Sequence, residues 1–235
     1  MKIALIGDGK MAKAIAPLAT DRGHSITVML GAADNREGAG ITRERLGSPD
    51  VAIEFTEPSA AAGNVLACAR AGLPVVVGTT GWYDQLDRVI AEVGRLNGTM
   101  FWAPNFSVGV AVLSAAIEAA SAALRGVPGF DIHLVETHHA AKKDKPSGTA
   151  ASLARIAESG LGREVPITSV RTGHVPGTHE LVIDAAFEQL RLVHEARDRR
   201  VFADGAISAA EWLQGRKGVF TMRDVLQHQE GERNR

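Results

Sequence analysis

The sequence is short of several things, and each shortage excludes a class of protein. One cysteine, Cys68, leaves no partner for an internal disulfide and fits a reducing compartment. It lies in Ala67-Cys68-Ala69-Arg70 within a predicted helix, where a small buried apolar side chain is the natural reading and a nucleophile is not. Neither sign of charge dominates: 26 basic against 27 acidic residues give a net charge of -1, without the basic excess that a nucleic-acid backbone demands. Long apolar runs are missing as well. The longest, Val108 to Leu124, is mostly alanine, carries Glu118 and falls short of the ~18 strongly apolar residues of a membrane span. Gly7-Asp8-Gly9-Lys10 interrupts the first strand-like run before an export signal could form. A cytoplasmic location is expected, with no membrane and no nucleic acid as partner. Aromatics supply only 5%, yet 45% hydrophobic residues suffice for a core and argue against disorder.

What the chain has in excess is glycine, 25 residues of 235, above the usual ~7%. The glycines punctuate an alternating pattern. Lys2–Ile6, Ser25–Leu30, Val51–Phe55, Val75–Gly78 and Thr99–Trp102 read as buried strands, and Lys10–Asp21, Ser59–Ala71 and Tyr83–Gly94 carry helical spacing between them. Alternation of this kind predicts a parallel, doubly wound sheet. Ala103-Pro104-Asn105-Phe106-Ser107 breaks the rhythm, and a second unit follows. Its predicted elements are the alanine-rich helix, a strand at Asp131–Thr137, a helix at Ser147–Ser159 and strands at Ile167–Thr172, Leu181–Ala185 and Glu188–His194. A helix at Ala206–Leu213 and a short strand at Gly218–Met222 then return toward the first sheet, and the polar tail from Gln227 to Arg235 is expected to fray. The fold class is α/β: a Rossmann-like dinucleotide-binding domain (1–106 and 206–235) plus an α+β mixed-sheet domain (107–205).

Gly7-Asp8-Gly9-Lys10-Met11-Ala12 leaves a strand and opens a helix, the setting in which a glycine-rich turn brings a pyrophosphate to a helix N-terminus. The acid that should end the second strand and bind the adenosine ribose is missing; Leu30-Gly31-Ala32-Ala33 stands there, leaving the cofactor preference open. Phe55-Thr56-Glu57-Pro58 and Gly78-Thr79-Thr80-Gly81 follow the third and fourth strands, where open α/β sheets bind ligands. The densest chemistry runs from Glu136-Thr137-His138-His139 through Lys142, Lys143, Asp144 and Lys145 to Pro146-Ser147-Gly148-Thr149-Ala150. Ammonium groups and a helix start suit a small polyanion, and a histidine beside them could move a proton near neutral pH. A solvated basic loop with Ser147 as an ordinary N-cap is the plainer reading. No cysteine or H-x-x-E-H-type spacing supports zinc, so no metal is expected.

These blocks together resemble the 4-hydroxy-tetrahydrodipicolinate reductase family. The likeness continues through Ala103-Pro104-Asn105-Phe106-Ser107, Arg171-Thr172-Gly173, Pro176-Gly177-Thr178-His179, His194-Glu195-Ala196-Arg197, Phe202-Ala203-Asp204-Gly205-Ala206 and Met222-Arg223-Asp224, in order along nearly the whole chain. The resemblance implies a homotetrameric NAD(P)H-dependent reductase of lysine and diaminopimelate biosynthesis, acting on a cyclic dicarboxylate with loss of water. It implies His138 as general acid/base and Lys142 as the second catalytic group. It further implies that His139, Lys142, Ser147, Gly148 and Thr149 hold the substrate carboxylates. Gly7, Asp8, Gly9, Lys10, Met11 and Ala12, with Phe55, Gly78, Thr79, Thr80, Ala103, Pro104, Asn105 and Phe106, would surround NADH or NADPH. The middle domain would build the tetramer core. The sequence departs from the family pattern at Glu54, Ala12 and Gly31. Another Rossmann dehydrogenase acting on an amino acid, or a dinucleotide sensor without activity, are the alternatives.

Overall fold

The computed structural model describes residues 1–233, the side chains of residues 37 and 228–233 excepted. Two compact units emerge, residues 1–106 with 202–235 and residues 107–201. The first contains β1 (Lys2–Ile6), α1 (Lys10–Asp21), β2 (Ser25–Leu30), β3 (Val51–Glu54), α2 (Pro58–Arg70), β4 (Val75–Val77), α3 (Leu86–Arg95) and β5 (Thr99–Trp102). The second contains α4 (Val108–Ala123), β6 (Asp131–His138), α5 (Gly148–Leu161), β7 (Ile167–Arg171), β8 (Thr178–Ala185) and β9 (Glu188–Glu195). The chain closes with α6 (Arg200–Trp212), β10 (Gly218–Phe220) and α7 (Met222–Arg233).

The first sheet is parallel throughout, in the order β10-β5-β4-β3-β1-β2. Its central strands are buried on both faces, which explains their nearly unbroken Val, Ile and Ala content. Ala4, Ile6, Ala52, Val75 and Val77 form one core cluster with Val65 and Cys68 of α2 and Val89 and Val93 of α3. Cys68 has no exposed surface. The chain runs outward from β1 to β2, then crosses back to β3, so the strand order reverses between β1 and β3. In such folds the crevice beyond that reversal is where ligands bind.

The second sheet is mixed, in the order β7-β6-β8-β9, with only the β6–β7 pair parallel. Alternate residues of β6 are buried, Ile132 and Leu134 packing with Leu181 and Ile183 of β8 against Leu113 and Ile117 of α4 and Leu153 and Ala157 of α5.

Several expected boundaries move. β3 ends at Glu54 and β4 at Val77, releasing Phe55 and Gly78 into loops. Tyr83–Gln85 forms a 3-10 turn ahead of α3. α6 begins at Arg200 and the first unit resumes at 202 rather than at 206. The tail expected to fray from Gln227 is instead helical to Arg233, and residues 234–235 lie outside the described residues. The helix is tied at its start: Asp224 Oδ2 accepts hydrogen bonds from Thr221 N at 2.7 Å and Thr221 Oγ1 at 2.8 Å, a first-turn anchor that the polar composition concealed. Among the described residues no helix is long and apolar enough to cross a membrane.

Candidate active site

In the first unit, the loops expected to surround a dinucleotide all leave C-terminal ends of parallel strands. Phe55 ties three of them together. Gly7, at φ +109°, passes so close that a Cβ would stand 2.1 Å from the Phe55 carbonyl oxygen. A Cβ at Gly78 would fall 2.0 Å from the Phe55 ring. The same ring packs at 5.9 Å on Phe106, which follows β5. Any side chain at Gly7 or Gly78 would push these loops apart, so the glycines are there for close approach. Gly9 is the N-cap of α1 and gives it no side-chain cap, leaving the first-turn amides of that helix without a protein side chain across them. Two other helices differ, α4 and α5 being capped by Ser107 and Ser147. A glycine-lined turn with an uncapped helix start and no acid in that first turn fits a pyrophosphate.

Behind these loops lies a buried polar network. Glu54 has no exposed surface. Its Oε1 accepts a hydrogen bond from Thr56 Oγ1 and one from Asn64 Nδ2 at 3.2 Å. Thr56 N donates to Thr79 Oγ1 at 2.7 Å, joining the loops after β3 and β4. Burial raises the Glu54 pKa, and the neighbouring hydroxyl and amide donors offset only part of that. Ala12, Ala103 and Phe106 are buried, whereas Asp8, Gly9, Lys10, Thr80 and Pro104 are exposed. The other expected cofactor residues, Met11, Gly78 and Asn105, are half-buried and Thr79 is buried.

The second unit places its chemistry at the end of β6. Glu136 and His138 are two residues apart on a strand and so share the face that packs inward. Glu136 Oε2 accepts from His138 Nδ1, and Glu136 Oε1 accepts from Arg171 Nη2 at 2.6 Å. Register explains the meeting: His138 pairs with Arg171 across β6–β7, Glu136 with His179 across β6–β8, and His179 with His194 across β8–β9. His138 and His179 stand edge to face at 5.2 Å. Burial works against ionised Glu136, but Arg171, Ser169 and His138 overcome it and bring its pKa down to about 2. The His138 pKa is lowered, by burial first; Glu136 opposes this, and the charges of Lys142 and Arg171 add to the lowering. His179 falls to about 4, through burial first and the charge of His138 second.

The loop that follows carries the expected anion-binding groups. Lys142 Nζ pairs with Asp144 Oδ1 at 2.9 Å, and Arg171 Nη2 also donates to the Asp144 carbonyl at 2.6 Å, pinning the loop to the strand. His139 Nε2 accepts from Arg199 Nη2 at 2.7 Å. Ser147 caps α5, its Oγ accepting from Ala150 N at 3.2 Å and facing His179 Nε2 at 3.3 Å. Its hydroxyl is therefore spent on the helix start, while the space beside Gly148 is open. Glu136, His138 and His179 offer atoms within 4.8 Å of one another, a spacing a metal ion could use. The Arg171 guanidinium on the same carboxylate opposes a second cation there.

The structure thus brings His138 together with Lys142, Ser147 and Gly148 in one unit and gathers the glycine-rich loops in the other. Sequence reasoning gave no individual role to Glu136, Arg171, His179 or His194. The alternation of β6 could have paired Glu136 with His138, but Arg171 and His179 needed the strand register.

Residues 1–106 match the family described as dihydrodipicolinate reductase, N-terminus, and residues 109–226 match dihydrodipicolinate reductase, C-terminus. A 4-hydroxy-tetrahydrodipicolinate reductase of Christiangramia forsetii is 34% identical over 96% of this chain and 98% of its own length. One from Xanthomonas campestris pv. campestris is 36% identical, with 96% and 98% covered. Among solved structures, a dipicolinate-bound dihydrodipicolinate reductase from Paenisporosarcina sp. TG-14 shares the fold with a TM-score of 0.77 at 19% identity, covering 94% of this chain and 97% of that one.

Proposed function

The chain belongs to the dihydrodipicolinate reductase family, and from that premise we propose that His138 handles the proton and Lys142 the developing charge of its reaction. It is an NAD(P)H-dependent oxidoreductase that reduces 4-hydroxy-tetrahydrodipicolinate to tetrahydrodipicolinate with loss of water, in lysine and diaminopimelate biosynthesis. The observation that carries the residue assignment is the buried Glu136–His138 pair beside the lysine loop.

A carboxylate can only accept, so Glu136 fixes the proton of His138 on Nδ1 and leaves Nε2 as the nitrogen that gives or takes a proton. A cyclic dicarboxylate carries two negative charges. Lys142, His139 and the α5 N-terminus at Gly148 and Thr149 are the groups that answer them, orienting the ring by its carboxylates. Lys142 and Arg171 depress the His138 pKa in the unliganded site. A dianion offsets those cations and so favours imidazolium once the substrate is bound, when a proton is wanted. The dinucleotide supplies the hydride; Gly7 to Ala12, Phe55, Gly78 to Thr80 and Ala103 to Phe106 are the residues that would hold it. Lys142 then stabilises electron density gained by the ring, and His138 protonates it.

The partner reading is a homotetramer built on the second unit, in the cytoplasm, the lone Cys68 suiting that compartment. Light scattering tests the first point by a mass four times that of the 24.8 kDa chain. For the chemistry, His138→Gln and Lys142→Ala are each expected to lower turnover about hundredfold or more in a dinucleotide oxidation assay with enzymatically generated substrate. Near-parental turnover in either variant overturns its role.

A further inference from the structure

We propose that Asp8 reads the adenosine ribose and sets a preference for NADH over NADPH, taking the place of the acid that β2 lacks. The inference rests on the dinucleotide reading of the first unit. In doubly wound dinucleotide folds an acid at the end of the second strand accepts hydrogen bonds from the ribose hydroxyls. Here β2 ends at Leu30 and the next residue is Gly31. Its backbone, at φ -79° and ψ 168°, is extended and open to any residue, so conformation does not require glycine.

Space does. A Cβ at Gly31 would stand 2.8 Å from Asp8 Oδ2, 3.2 Å from its Cγ and 3.8 Å from its Cβ, the three nearest heavy atoms all belonging to Asp8. The carboxylate of the glycine-rich loop therefore occupies the place next to β2 where a side chain from β2 would begin. Gly7 N donates to Leu30 O at 2.8 Å, which anchors the loop to the strand end and fixes Asp8 there. Asp8 is exposed, and among the described residues no hydrogen bond or ion pair engages it. An acid out of place in the phosphate loop and a glycine out of place on β2 are one arrangement: the function has moved from one loop to its neighbour.

The chemistry follows from the charge. A free carboxylate accepts from the 2′- and 3′-hydroxyls of NADH. The 2′-phosphate of NADPH removes one of those donors and sets negative charge against negative charge. Calorimetry on the full-length protein with NADH, NADPH, ADP-ribose and 2′-phospho-ADP-ribose tests this directly and needs no turnover. The unphosphorylated ligand of each pair is expected to bind about tenfold tighter or better, the scale of a hydrogen bond to a charged group. Asp8→Ala should cut that ratio about tenfold, and Asp8→Ala/Gly31→Asp should restore it by returning the acid to β2. Equal binding of the two forms by the parent, or a ratio unmoved by Asp8→Ala in a protein of unchanged melting temperature, overturns the inference. Failure of all four ligands to bind the parent overturns the dinucleotide reading itself, and this inference with it.

Discussion

Two glutamates, Glu54 in the first unit and Glu136 in the second, sit in β-strands with no exposed surface, and their surroundings drive them in opposite directions. Glu136 meets an arginine and a histidine, and its pKa falls to about 2 despite burial. Glu54 meets a threonine hydroxyl and an asparagine amide, and burial prevails in raising its pKa. Both carboxylates are closed off from solvent, but Glu54 lies deeper in the protein and has only neutral partners, whereas Glu136 lies shallower and has cationic ones. A buried acid backed by cations serves as a fixed negative charge that can hold an imidazole, whereas one backed by neutral donors serves as a brace between loops.

The largest effect expected from breaking this contrast is on activity. Glu136→Gln keeps shape but removes the charge that orients His138, and turnover should fall about hundredfold or more. Because Glu136 raises the His138 pKa, its loss lowers that pKa further. If protonated His138 is required, the decline of kcat/KM with rising pH then begins at lower pH, a displacement that a merely structural role for Glu136 would not produce. The next effect is on stability. Arg171→Ala strands a buried carboxylate and should cost about 3 kcal/mol in denaturant unfolding; a loss near zero would mean that Glu136 finds another counterion.

The smallest effect sharpens the comparison through pH. Glu136 has a folded pKa below its unfolded value, so the stability it contributes is present above the ordinary carboxylate value of 4.5 and lost as pH falls toward about 2. Glu54 has a raised folded pKa, so its contribution is present below 4.5 and lost as pH rises through the folded value. Melting curves of Glu136→Gln should therefore drop less than the parent in acid, and those of Glu54→Gln less than the parent toward alkali. Parallel curves for the two variants would erase the distinction between the two acids.

Much of this was legible in the sequence because it is local. Period-two burial in β6 and the glycine-rich turn after β1 depend on neighbours a few residues away, and both are written in short motifs. The site's supporting groups are not local. Arg171 reaches Glu136 across 35 positions, and His179 reaches Ser147 across 32, through a register that no single segment encodes. Asp8 and Gly31 each look like a flaw alone; only their contact makes them complementary. The helix at Met222–Arg233 escapes such reading because its polar sequence carries little apolar periodicity and its cap, Thr221, falls inside the expected strand Gly218–Met222.

The edge strand β10 comes after the whole second unit in the chain yet pairs with β5 in the first sheet, Val219 opposite Met100. During synthesis the segment 107–201 therefore emerges complete while the first sheet still waits for its last strand. The part of the molecule made first is the part that can be finished only last, its closure depending on a contact between distant residues.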